Sequence, residues 1–171
     1  KQYQEEFTVI KGLKEQLETK RYVLNGYCKI PDAFSAQLYA SLGWDAVTLD
    51  MQHGMIGYES AIAMLHAIAK EEVLPMVRIP SLEASTISRL LDAGALGITC
   101  PMVNTASDAE RLVQYCKYAP QGVRSFGPVR ARPLYGPDYV KNANRMVSVL
   151  AMIETVEGLR NLDDILSVQG L

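Results

Sequence analysis

GWDAVTLDMQHG, residues 43–54, holds the pattern that decides the fold. Ala46, Val47, Thr48 and Leu49 form a short apolar and β-branched run, which ends on Asp50 and a turn carrying His53. A buried strand that runs directly into a polar turn is the unit of a parallel α/β protein, where chemistry collects at the C-terminal strand ends.

The same unit recurs on both sides. Strands are predicted at 23–28, 46–49, 74–77, 97–99 and 148–153, with helical segments between and after them at about 32–41, 58–70, 83–93, 107–118 and 156–166. Strands alternating with helices imply a parallel sheet with crossover connections. Phe7, Ile10, Leu13 and Leu17 recur at helical spacing, so an amphipathic helix is expected within residues 1–20. Residues 119–144 break the rhythm: PQGVRSFGPVRARPLYGPD, residues 120–138, is rich in proline and arginine and reads as a long loop rather than a core element.

Five strands in 171 residues fall short of a complete eight-unit barrel, which takes about 250 residues. The closing SVQGL, residues 167–171, reads as a loop entering another strand. The expected fold is therefore α/β, a (β/α)8 TIM barrel of which this chain holds the first five strands, in one domain over 1–171.

Composition narrows the function. Apolar residues make up 49% and charged residues 21%, the profile of a soluble globular protein. A formal charge of −2 without a block of one sign offers no footprint for nucleic acid or an anionic membrane. No run approaches the roughly 20 apolar residues of a membrane helix, and no signal peptide is evident at the start. Cys28, Cys100 and Cys116 form no CxxC pair and are odd in number, which favours free thiols in the cytoplasm. Without GxGxxG or GxxxxGK[ST], dinucleotide and P-loop readings have no support. Small molecules are the expected partners.

Three strand ends carry candidate chemistry. Asp50 and His53 share the turn after strand two; Asp50 could hold one imidazole nitrogen and leave the other to move a proton, or could simply cap the turn. Arg78 closes strand three, where a guanidinium could clamp a carboxylate, stabilise an enolate oxygen or form a structural ion pair. Glu154 follows strand five, as a ligand to Mg²⁺ or Mn²⁺ or as an acid at the next helix start. Together they suggest a metal-held oxo acid. His66 reads as a packing or surface histidine, and Cys100 and Cys116 as core thiols.

Several spaced motifs carry a family resemblance: GWDAVTLDMQHG, PMVRIP (75–80), LLDAGALGITCPMVNTASDAERLV (90–113), YAPQGVRSFG (118–127) and MIETVEGLRNLDDIL (152–166). From about Arg21 to Leu171 the chain resembles the class II pyruvate aldolases of the HpcH/HpaI type, such as 4-hydroxy-2-oxoheptanedioate and 2-keto-3-deoxy sugar-acid aldolases. The resemblance implies a lyase of aromatic-compound or sugar-acid catabolism that releases pyruvate and an aldehyde from a 4-hydroxy-2-oxo acid. It makes His53, held by Asp50, the base; Arg78 the enolate clamp; and Glu154 one of two carboxylate ligands to Mg²⁺, Mn²⁺ or Co²⁺. The family's second ligand, an aspartate in a GPADLS-like segment, lies beyond Leu171. The resemblance makes Met152, standing where many members have a substrate-facing glutamine, and Pro128, where a loop serine is common, substrate-binding residues alongside Arg78. The resemblance also implies a homo-oligomer, a hexamer that exchanges C-terminal helices. Alternatives are Schiff-base chemistry at Lys29, an acyl-CoA ester lyase of the citrate lyase β type, and a non-catalytic oxo-acid binder.

Overall fold

The computed structural model describes residues 12–69 and 71–171. Five strands, β1 (Asn25–Cys28), β2 (Ala46–Asp50), β3 (Leu74–Arg78), β4 (Gly97–Cys100) and β5 (Ser148–Ala151), form one sheet in the order β1-β2-β3-β4-β5. Every pairing is parallel. A doubly wound sheet would reverse its strand order at a switch point, whereas strictly sequential order is that of a barrel wall.

The crossovers are α2 (Ala33–Ala40), α3 (Tyr58–Ile68), α4 (Ala84–Asp92) and α5 (Ala106–Cys116), each packed on the next. They cover the face of the sheet that buries Val47, Leu49, Val77 and Ile98. Burying each such side chain contributes roughly 1.5–3 kcal/mol. Local chemistry sets the helix starts. Asp32 caps α2 by accepting the Ser35 N–H at 2.6 Å, and Thr105 and Asp108 form a reciprocal capping box on α5. Helix α4 stops at Gly94, whose φ of +108° closes a turn in which Ala95 N–H reaches Leu90 O at 3.1 Å.

The predicted strands and crossover helices are all present, with ends shifted by up to about three residues. The segment after strand five differs: it is two short helices, α8 (Val156–Arg160) and α9 (Leu162–Leu166), separated by Asn161, whose side chain donates to Asn104 O at 2.8 Å. The predicted opening helix is seen as α1 (Leu13–Thr19); its first part, residues 1–11, lies outside the described residues, as does Lys70 at the expected end of α3.

Residues 119–144 depart from the expected loop. They contain α6 (Ala131–Tyr135) and most of α7 (Tyr139–Met146), and they bury Ala131, Tyr139 and Ala143. The reason is a charge carried inside with its partner. Arg124, its side chain fully buried, donates to Asp92 Oδ1 at 2.7 Å and to the Tyr139 hydroxyl at 3.2 Å, while its guanidinium lies 4.4 Å from the Tyr118 ring centre. These partners offset part of the cost of burying the guanidinium, whose Nε makes no hydrogen bond among the described residues.

Candidate active site

Strand register puts Asp50 beside Arg78, and Arg78 beside Thr99. Strands alternate their faces: a Cβ on Gly26 would strike Tyr39 and Trp44 on the helical side, so Asn25 and Tyr27 point the other way. There Asn25 Oδ1 accepts the Thr48 hydroxyl at 3.0 Å, and Asp50, two residues beyond Thr48, lies at the C-terminal rim of the same face.

Asp50 is the hub of this rim. Its carboxylate is 0% exposed and takes a bidentate fork from Arg78: Nε to Oδ1 at 2.9 Å and Nη2 to Oδ2 at 2.6 Å. Oδ1 also accepts the backbone N–H groups of Gln52 and His53 at 3.2 and 3.1 Å. Burial acts to raise the carboxyl's pKa, but the hydrogen bonds from Arg78, His53 and Gln52 outweigh it and hold the group below the usual aspartate range. The same fork raises Arg78 further above the ordinary guanidinium value, against the effect of its own burial.

The expected Asp50–imidazole contact is therefore corrected. Asp50 binds the backbone N–H of His53, not its ring, because both carboxylate oxygens are engaged by Arg78. The His53 side chain is exposed and has no hydrogen-bond partner among the described residues. Gly54 makes this turn possible: a Cβ there would lie 2.2 Å from Asp50 O and 3.1 Å from Lys29 Cα, so only glycine lets the His53 turn approach the end of β1.

Arg78 is held from a second side by Tyr27, whose ring centre is 5.3 Å away. Its Nη1 makes no hydrogen bond among the described residues and is free to donate at the rim. Lys29 Nζ stands 4.0 Å from Asp50 Oδ2.

Glu154 lies on the neighbouring part of the rim, after β5. Its Oε1 accepts the Met102 N–H at 2.8 Å, in a turn where Met102 has φ +56°, the left-handed region that non-glycine residues rarely occupy. Around it Thr155 hydrogen-bonds Asn104, and Val103 N–H reaches Met152 O at 3.3 Å, tying the β4 and β5 loops together. Met152, half-buried, also donates its N–H to Cys100 O at 2.9 Å.

Pro128 is not at this rim. It is buried beside the C-terminal end of α4, where Arg130 N–H binds Asp92 O at 3.2 Å, at the opposite end of the βα unit from the strand tips. His66 is exposed on α3 and accepts from Arg130 Nε at 3.2 Å, away from the strand tips.

Among the described residues no three histidine, cysteine or acidic side chains cluster as a metal site. The donors present nevertheless suit a hard cation in part. Glu154 Oε2 makes no hydrogen bond among the described residues, while Oε1 is held by the Met102 N–H. Mg²⁺ takes one or two protein carboxylates and fills its other positions with water and substrate oxygens.

Sequence reasoning found Asp50, His53, Arg78 and Glu154 at the rim, but passed over Tyr27, Asn104 and Thr155. Tyr27 had a signal, standing two residues before Lys29 on one face of a strand; Thr155 had one too, as a helix-capping residue. No helix among the described residues is long and apolar enough to cross a membrane.

The chain is similar to known proteins in sequence and in fold. The hydroxypyruvate/pyruvate aldolase of Rhizorhabdus wittichii is 45% identical over 151 residues, covering 88% of this chain and 60% of its own length. The 4-hydroxy-2-oxo-heptane-1,7-dioate aldolase of Escherichia coli is 33% identical over 163 residues, covering 94% of this chain and 62% of its own. The crystal structure of an HpcH/HpaI aldolase/citrate lyase family protein from Burkholderia cenocepacia superposes with a TM-score of 0.84 at 29% identity, over 93% of this chain and 65% of that one. The chain thus spans about three fifths of the length of the curated relatives it matches. With the family profile matching residues 28–171, the chain belongs to the HpcH/HpaI aldolase/citrate lyase family.

Proposed function

We propose that this chain carries most of the active site of a divalent-metal-dependent aldolase that reversibly cleaves a 4-hydroxy-2-oxo acid to pyruvate and an aldehyde. The observation that carries the reading is the buried Asp50–Arg78 fork, with the unengaged His53 ring three residues beyond Asp50.

Arg78 cannot swing freely, because Asp50 holds two of its nitrogens and Tyr27 flanks it. Its remaining Nη1 is positioned to donate to the oxygen that gains negative charge as pyruvate enolate forms, and one such donor contributes about 10²–10³ in rate. His53, through water, takes the proton of the C4 hydroxyl. The C3–C4 bond then breaks, its electron pair passing into the enolate and the new carbonyl leaving as the aldehyde; C3 is reprotonated to give pyruvate. A positioned base of this kind contributes about 10²–10⁴. Glu154 Oε2 would hold Mg²⁺, Mn²⁺ or Co²⁺, which when bound supplies Lewis-acid polarisation of the oxo acid. Met152 lies at the end of β5 as a candidate substrate neighbour. Pro128, remote from this rim, has no part in the reading for a single chain.

A Schiff-base route fits less well, because such a lysine needs desolvation or a cationic neighbour, whereas Lys29 is 60% exposed and faces a carboxylate. The protein would act on small molecules in the cytoplasm and assemble as a homo-oligomer, a hexamer by its resemblance.

The test is pyruvate release from a panel of 4-hydroxy-2-oxo acids by the full protein containing this chain, coupled to lactate dehydrogenase. Release that stops with EDTA and returns with Mn²⁺ is expected. No release from any of them, or release indifferent to EDTA, would contradict the proposal.

A further inference from the structure

Lys29 is a cation at the mouth of the site that nothing in the mechanism uses. Its backbone is fixed: Lys29 O accepts the Met55 N–H at 3.0 Å, and the Gly54 turn lies against its Cα. Its side chain is 60% exposed, and Nζ is 4.0 Å from Asp50 Oδ2, beyond hydrogen-bond length. Asp50 Oδ1 accepts Arg78 Nε and two backbone N–H groups and Oδ2 accepts Arg78 Nη2, so the guanidinium already balances the carboxylate's charge and Lys29 adds only a long ion pair. The ammonium therefore has no hydrogen bond among the described residues and faces water beside the His53 turn.

Strand order says what it faces. Along the rim the groups run Lys29, Asp50 with His53, Arg78, then Glu154. If the oxo acid lies between Arg78 and Glu154, the C4 hydroxyl points toward His53, and the substituent on C4 extends toward β1 and Lys29. Resting on the aldolase reading above, we infer that Lys29 is a specificity determinant that binds an anionic substituent of the aldehyde partner, so that the enzyme favours aldehydes bearing a carboxylate or phosphate over neutral ones of the same size.

The experiment compares aldol addition of pyruvate to glyoxylate and to glycolaldehyde, and to glyceraldehyde 3-phosphate and glyceraldehyde, in the full metal-loaded protein and its Lys29→Met and Lys29→Arg variants. Lys29→Met is expected to lower kcat/KM for one or both anionic aldehydes by roughly tenfold, mostly through KM, while the neutral aldehydes change by less than about twofold. Lys29→Arg should keep most of the preference, and added salt should shrink it. Which anionic member responds separates carboxylate from phosphate recognition. An unchanged ratio in Lys29→Met, or a parallel loss for charged and neutral aldehydes, would overturn the assignment while leaving the aldolase reading intact. Wild-type protein inert toward all four aldehydes would instead strike at the aldolase reading, and the Lys29 assignment would fall with it.

Discussion

Asp50 shows how one residue can be read correctly for place and wrongly for partner. Its position at a strand end is a local signal; its bond to Arg78 depends on the register of two strands 28 residues apart, which no short window displays. The proximity of His53 in sequence suggested a ring contact that the fold assigns to the backbone instead. Because its pKa is lowered in the folded chain, Asp50 contributes stability that is fully present above its unfolded value, about 3.9, and is lost as pH falls through the folded value. Acid titration of the fold should therefore show a steeper loss below about pH 4 in wild type than in Asp50→Asn, followed by circular dichroism. Asp50→Ala strands a buried guanidinium and should destabilise by about 3–5 kcal/mol in urea. Burial pushes the Cys28 thiol to about 11 and Cys100 and Cys116 to about 12. A thiol reagent at pH 8 should label none of the three quickly until the protein is unfolded.

Elements differ in how openly they announce themselves. The crossover helices α4 and α5 were legible through a periodic apolar face, such as Ile87, Leu90 and Leu91 on α4, whereas α2 buries only Ala36 and Ala40. The caps were written in single residues such as Thr105 and Asp108. Thr105→Ala removes one side of a capping box and should cost about 0.5–2 kcal/mol, measured as a lower urea midpoint without loss of the β sheet signal. The helix α6 was hidden because Pro133 and two arginines interrupt its surroundings, and α7 because its buried Tyr139 meets Arg124, which pairs with Asp92 across the fold. Pro128 belongs to the same misreading: its loop was placed by analogy at the site, whereas Asp92 and Arg130 hold it at the far end of α4. Leu90→Ala, in contrast, acts on a face plain in the sequence and should cost about 2–5 kcal/mol.

Across the whole molecule, sequential parallel strands place Lys29, Asp50, His53, Arg78 and Glu154 on one rim, and that layout turns separate polar residues into a site. The alternation of strands and helices made the architecture readable before any coordinates; what it could not supply was the pairing of groups across the rim. The account rests on Arg78 and Glu154 together supporting a pyruvate enolate, a half-reaction that needs no aldehyde and therefore no knowledge of the second substrate. The most direct measurement is loss of the methyl proton signal of pyruvate in D₂O by NMR, with the full protein and Mg²⁺. The account predicts exchange that stops on chelation and falls by about 10²–10³ in Arg78→Ala; no exchange by the metal-loaded wild type, or exchange unaffected by Arg78→Ala, would contradict it.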